Sequence, residues 1–219
     1  MQPLLLGHRG SRCSRSVPEN TLTAFDLALQ HGCDGFEFDV RLSGDSVPVV
    51  CHDAKLSGLP ISRTAAARLE ELPALEAVLD RYRTRAFLDI ELKVSGIESQ
   101  LLRLLARYPP KKGFVVSSFL PRVLLEVRRL APIVPLALIC GNRPQLRRWR
   151  ELPVEYVVAQ QTLVSRRLLR EMHEASKKVV VWTVNRPAAM RRFADWGVDG
   201  LITDRTDLRA RTFDGPREL

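Results

Sequence analysis

Aromatic residues are scarce in this chain, 6% of 219, and lysine is scarcer still, with six against 28 arginines. An extended nucleic-acid surface needs aromatic platforms or a dense basic stripe. Neither is present. The arginines are scattered, and Arg147, Arg148 and Arg150, like Arg166, Arg167 and Arg170, read as solvated helix faces. No nucleic-acid partner is expected. The net charge of +9 reads chiefly as the arginine bias of a GC-rich genome, and only secondarily as attraction to an anionic ligand or surface.

Cysteine is also sparse. Cys13, Cys33, Cys51 and Cys140 form no CxxC pair and no disulfide framework, which implies a reducing compartment. Cys33 and Cys51 sit in apolar surroundings and read as small core residues. No apolar run reaches the ~18–20 residues of a membrane span. The first six residues lack a charged leader. A cytoplasmic chain is expected, without stable membrane insertion. Transient contact with an anionic bilayer is left open, as is the oligomeric state.

What is present is a steady alternation of short apolar runs with amphipathic segments. Strands are predicted over 4–7, 35–41, 86–92, 113–117, 134–139, 155–159, 179–184 and 200–203. Helices are predicted over 22–30, 75–82, 98–107, 121–130, 144–149, 165–175 and 187–196. Asn20-Thr21 suits a helix cap, His31-Gly32 a stop, and Pro121, Pro144 and Pro187 first-turn positions. Runs such as Val179-Val180-Val181 are of the kind found in buried parallel strands. Eight βα units favour a closed (β/α)8 barrel, one compact domain over residues 1–219. The one long irregular stretch is 53–72.

Barrel enzymes carry their chemistry at the C-terminal ends of the strands, and polar residues interrupt the apolar runs there. His8 and Arg9, between Gly7 and Gly10, close the first strand. Glu37 and Asp39 alternate with Phe36, Phe38 and Val40, so both carboxylates face one side. Two inward carboxylates are costly unless a cation compensates. Either Arg9 or Lys93 provides it as an ion pair, or a hard metal ion does, which favours oxygen ligands. Asp89, Glu91 and Lys93 share one face of the third strand. Glu91 is placed to join Glu37 and Asp39 around one metal, and Lys93 to meet a phosphate oxygen or to form a plain salt bridge. His52 ends the run Val49-Val50-Cys51. Asp53 either orients it or caps the next turn. Trp182 walls the pocket or lies in the core. A divalent ion with Arg and Lys suits a phosphate diester, and two histidines can serve as acid and base.

Seven segments in order now mark a resemblance: Gly7-His8-Arg9-Gly10, Pro18-Glu19-Asn20-Thr21, Glu37-Phe38-Asp39-Val40, Val47-Pro48-Val49-Val50-Cys51-His52-Asp53, Ile90-Glu91-Leu92-Lys93, Val181-Trp182-Thr183-Val184-Asn185 and Gly200-Leu201-Ile202-Thr203-Asp204. The chain resembles the glycerophosphodiester phosphodiesterases. The resemblance implies a TIM barrel that hydrolyses glycerophosphodiesters to sn-glycerol 3-phosphate and an alcohol, using one divalent ion, Mg2+ or Ca2+. It implies His8 and His52 as catalytic residues, Glu37, Asp39 and Glu91 as metal ligands, and Arg9 and Lys93 as phosphate contacts, with no assignment of acid and base between the histidines.

The chain departs from the family pattern where many members carry a longer insertion with Arg-Thr-Thr-Gly. Here 53–72 is brief and holds only Arg63-Thr64, which bears on the alcohol preference. Arg205 and Thr206 follow Asp204 where the family has a nearby proline, with little effect expected on chemistry. Two alternatives stand beside this reading. One is a relative acting on lysophospholipids or sphingomyelin, which an exposed apolar lip over 56–61 favours. The other is a non-catalytic barrel that binds phosphorylated ligands.

Overall fold

The structure is a computed structural model and describes residues 2–14 and 16–214. Eight parallel strands close into a barrel: β1 (Leu4–His8), β2 (Gly35–Leu42), β6 (Phe87–Leu92), β7 (Phe114–Ser118), β8 (Leu136–Cys140), β9 (Tyr156–Gln160), β10 (Lys178–Trp182) and β11 (Gly200–Thr203). Closure is direct, since β1 pairs with both β2 and β11. Helices α1 (Leu22–Gln30), α2 (Leu75–Tyr82), α3 (Glu98–Arg107), α4 (Pro121–Leu130), α5 (Arg143–Arg147), α6 (Arg166–Glu174) and α7 (Pro187–Trp196) lie between the strands. The expected (β/α)8 barrel is therefore the fold. No helix among the described residues is long and apolar enough to cross a membrane.

Local signals account for most boundaries. The Thr21 side chain accepts the Ala24 amide at the start of α1, and Gly32 beyond its end has φ +83°, the left-handed conformation glycine adopts without penalty. Pro121, Pro144 and Pro187 all sit in first turns. Two expectations are corrected. The helix predicted over 144–149 is only a short α5 followed by a 3-10 turn at Arg148–Arg150. The strand predicted over 179–184 ends at Trp182.

Three short strands were not foreseen. β3 (Pro48–Val50) runs antiparallel to the overhanging end of β2, with Val40 opposite Val50. β4 (Lys55–Leu56) and β5 (Leu59–Pro60) form a two-stranded hairpin within the irregular stretch.

Two apolar layers hold the barrel. Outside the strands, Phe25 of α1 stacks on Phe36 at 4.1 Å, and the Tyr82 ring of α2 meets Phe36 edge-on at 4.9 Å. Phe36 and Phe38 are fully buried on this outer side, so strand alternation turns Glu37 and Asp39 into the barrel. Inside, Leu6, Phe87, Val115, Ile139, Val158, Val180 and Ile202 form a separate cluster. Gly35 lets β2 approach β6, because a Cβ there would lie 1.8 Å from the Phe87 carbonyl oxygen.

Candidate active site

At the C-terminal mouth, parallel pairing fixes the site's frame. His8 lies opposite Glu37, Asp39 opposite Glu91, and Glu91 opposite Ser117. Oxygens of Glu37, Asp39 and Glu91 all fall within 4.8 Å of one another, and all three residues are buried. The convergence of three carboxylates expected from strand alternation is what the fold produces.

The carboxylates differ in their neighbours. Asp39 accepts Asn20 Nδ2 at 2.9 Å, and faces Arg9 Nε at 3.2 Å and Lys93 Nζ at 3.1 Å. Burial raises its pKa, but Lys93, Asn20 and Arg9 outweigh burial and hold it below the ordinary carboxylate value. Burial, with Asp39 and Glu91 nearby, drives Glu37 well above its ordinary value. Glu91 is raised to about 7 by burial and by Asp39, even though Lys93 Nζ stands 2.7 Å away. Asp89, one step deeper, is also pushed by burial to about 7, and its carboxylate accepts Ser117 Oγ at 2.5 Å. The ion-pair reading of Arg9 and Lys93 is thus realised in the geometry. Among the described residues it leaves one carboxylate acceptor over: Glu37 Oε1 is buried and has no hydrogen-bond partner. An unpaired buried acceptor is expensive, and this one belongs to the three-carboxylate cluster. The donor set, three carboxylates, is the kind that hard divalent cations take; the residues fit such an ion.

The turn after β1 builds one side of the site. Arg9 adopts a left-handed conformation, φ 55°, which directs its amide onto Glu37 Oε2 at 3.0 Å. Its guanidinium also reaches Glu19 Oε1 at 2.6 Å. Asn20, likewise left-handed at φ 58°, receives the Asp39 amide on Oδ1 at 3.3 Å. Asn and Asp tolerate this conformation better than other side chains.

The histidines enter from separate elements. His8 Nδ1 is 2.8 Å from Asp204 Oδ1, and its Nε2 is 4.0 Å from Glu37 Oε2. His52 follows β3, and its carbonyl oxygen accepts Arg41 Nε and Nη2 at 2.8 and 2.6 Å. His52 Nδ1 lies 2.8 Å from Asp53 Oδ1, so Asp53 contacts the histidine. One pocket is lined by the polar His8, Arg9, Glu37, His52, Asp89, Glu91 and Lys93 together with the apolar Phe119, Ile139, Val158, Trp182 and Ile202. Trp182 is half-buried, donates Nε1 to the Val158 carbonyl at 3.2 Å and meets Phe119 edge-on at 5.9 Å. It is a pocket wall rather than a core residue.

From sequence, Asp204 and Asn185 stand in the matching segments with no role of their own, Asn20 reads only as part of a helix cap, and Arg12 has no motif around it. Asp204 follows the end of β11, where a polar residue interrupts an apolar strand. The same signal identified His8.

The model of the glycerophosphoryl diester phosphodiesterase family matches residues 8–90 and 88–208. The chain is 32% identical over 234 residues to the YhdW protein of Bacillus subtilis, covering 93% of this chain and 95% of that one. It is 30% identical over 239 residues to a glycerophosphodiester phosphodiesterase of Caldanaerobacter subterraneus, with the same coverage. Among solved structures, it superposes on an Oleispira antarctica phosphodiesterase in complex with the product sn-glycerol-3-phosphate (TM-score 0.84, 26% identity, 98% of both chains). It also superposes on a glycerophosphodiester phosphodiesterase of Agrobacterium tumefaciens (TM-score 0.85, 26% identity, 98% of this chain and 100% of that one). The barrel and its mouth are those of a phosphoric diester hydrolase. The chain belongs to the glycerophosphoryl diester phosphodiesterase family.

Proposed function

We propose that this phosphodiesterase hydrolyses glycerophosphodiesters to sn-glycerol 3-phosphate and an alcohol, with one divalent ion, Mg2+ or Ca2+, held by Glu37, Asp39 and Glu91. The observation that carries the metal reading is the unpartnered, buried Glu37 Oε1 within the three-carboxylate cluster. The product-bound relative from Oleispira antarctica supports the choice of substrate.

When bound, such an ion neutralises negative charge on the phosphate and makes phosphorus a better electrophile. The remaining work falls to the chain's own side chains. Arg9 and Lys93 line the pocket beside the carboxylates, and their fixed charges favour a dianionic transition state over the monoanionic substrate. His8 and His52 share the pocket with them. One takes a proton from the attacking oxygen, and the other returns a proton to the departing alcohol oxygen. The apolar lining contributed by Phe119 and Trp182 suits the carbon skeleton of the glycerol.

The lip that favours a lipid substrate is poorly developed. Ile61 is 1% exposed and packs under the hairpin with Val49, Cys51 and Leu69, leaving Leu59 exposed at 38%. This supports a small, water-soluble diester over a lysophospholipid. A substrate panel tests the reading. Glycerophosphocholine is expected to turn over well and lysophosphatidylcholine poorly, and His52→Ala is expected to lose the activity. Preference for the lysophospholipid, or near-normal turnover by His52→Ala, contradicts it.

A further inference from the structure

The two histidines are supported very differently. Asp53 is 78% exposed at its side chain, and among the described residues its carboxylate hydrogen-bonds only to His52. The Asp204 side chain is 24% exposed and is enclosed by a network whose directions can be worked out. The Asp204 amide donates to Asn185 Oδ1 at 2.9 Å, and Thr203 Oγ1 lies 3.1 Å from the same oxygen. A backbone N–H can only donate, so that atom of Asn185 must be the amide oxygen. Asn185 Nδ2 is then the donor to Asp204 Oδ2, at 2.7 Å. Arg12 Nη1 donates to Oδ1 at 2.9 Å. Both carboxylate oxygens therefore receive donors, and the remaining partner of Oδ1, His8 Nδ1, must donate as well. Arg12 Nη1 lies 3.3 Å from the same His8 nitrogen, the one contact able to favour the opposite tautomer. Its shorter bond goes to the carboxylate.

We infer that Asp204, locked by Asn185, is the positioning residue that fixes His8 as the Nδ1–H tautomer and leaves Nε2 as the free, pocket-facing nitrogen. Among the described residues, the carboxylate that contacts His52 has no such lock. The inference rests on the proposed role of His8 in proton transfer. It concerns orientation and tautomer: Asp204 does not touch the reacting atoms.

Asp204→Asn is the informative variant. Its amide has only one acceptor, so either the Asn185 bond or the His8 bond is lost, and an NH2 group facing His8 favours the wrong tautomer. With glycerophosphocholine and the divalent-loaded enzyme, kcat is expected to fall about a hundredfold, with KM within about twofold. Asp53→Asn is expected to change kcat only a few-fold. Nitrogen-15 NMR of histidine-labelled protein supplies a readout independent of activity. There are four histidines, and His8→Ala assigns the signal by its disappearance. The wild type is expected to show a pyridine-type Nε2 and a pyrrole-type Nδ1 at His8, a pattern lost or averaged in Asp204→Asn and in Asn185→Ala. An unchanged His8 pattern in both variants overturns the inference, as does Asp204→Asn turnover within threefold of wild type while His8→Ala is inactive. Wild-type turnover by His8→Ala overturns the underlying reading of His8 instead.

Discussion

Lys93 Nζ stands 2.7 Å from Glu91 Oε1 and 3.1 Å from Asp39 Oδ1, so the ammonium occupies oxygens that a divalent cation would also use. The two compete by charge. Replacing Lys93 with Met removes one positive charge from the cluster and one ion-pair partner from each carboxylate. Divalent-ion affinity, measured by isothermal titration calorimetry, is expected to rise several-fold. Turnover is expected to fall by about 10²-fold, because a fixed cation beside the phosphate is lost. Weaker ion binding in Lys93→Met would show that Lys93 supports the ion indirectly rather than competing with it.

Asn20 holds Asp39 from both ends, donating to its carboxylate and accepting from its amide. Its backbone is left-handed, so two substitutions separate geometry from hydrogen bonding. Asn20→Gly keeps the conformation and loses the amide, and is expected to weaken ion binding about 10–100-fold at little cost in backbone strain. Asn20→Ala loses the amide and adds roughly 1 kcal/mol of strain, visible as a lower Tm. Equal Tm values for the two variants would contradict the strain argument.

Much of this site was legible in the sequence, and what was missed has a common cause. The eight barrel strands stand out because parallel strands buried on both faces are nearly continuous apolar runs, and a polar residue at the end of such a run is conspicuous. His8 and Glu91 stand out that way, Glu37 and Asp39 by alternation with Phe36, Phe38 and Val40, and Asp53 lies next to its partner His52. The Asp204–His8 bond joins residues 196 positions apart, across the closure of β1 against β11, and no local pattern reports it. β3 is only three residues long and exists because β2 overhangs the barrel. Helix α5 is cut short although proline and periodicity favour its start, because the chain tightens into a 3-10 turn that buries Trp149.

The depressed Asp204 pKa has a consequence for acid stability. Burial alone would raise it, but hydrogen bonds from His8 and Asn185, with the nearby Arg12 charge, bring it down to about 2. The unfolded value is about 3.9. A group with a lower pKa in the folded state stabilises the protein at pH above its unfolded value, and that contribution is lost as pH falls through the folded value. Asp204→Asn is therefore expected to be less stable than wild type near neutrality, with the difference narrowing between about pH 4 and pH 2. Denaturant midpoints across that range check it. A difference that stays constant would place the effect in packing rather than ionisation.

The outer aromatic cluster packs the face of β2 opposite its two carboxylates. Phe36 is fully buried, stacked on Phe25 and edge-on to Tyr82. Truncation to alanine leaves a cavity and is expected to cost about 3–5 kcal/mol, read from chemical denaturation. Ion affinity of the protein that remains folded is expected to change little, because strand register rather than the ring aims Glu37.

The central claim is that glycerophosphodiester hydrolysis depends on a divalent ion at Glu37, Asp39 and Glu91. Phosphorus-31 NMR tests it most directly. Enzyme stripped with EDTA is mixed with glycerophosphocholine, the spectrum is followed, and Mg2+ or Ca2+ is then restored in excess, with Glu37→Gln run in parallel. The expected result is no reaction before the ion, appearance of sn-glycerol 3-phosphate after it, and little product from Glu37→Gln. Product at the same rate in stripped enzyme, or phosphocholine in place of sn-glycerol 3-phosphate, would contradict the account.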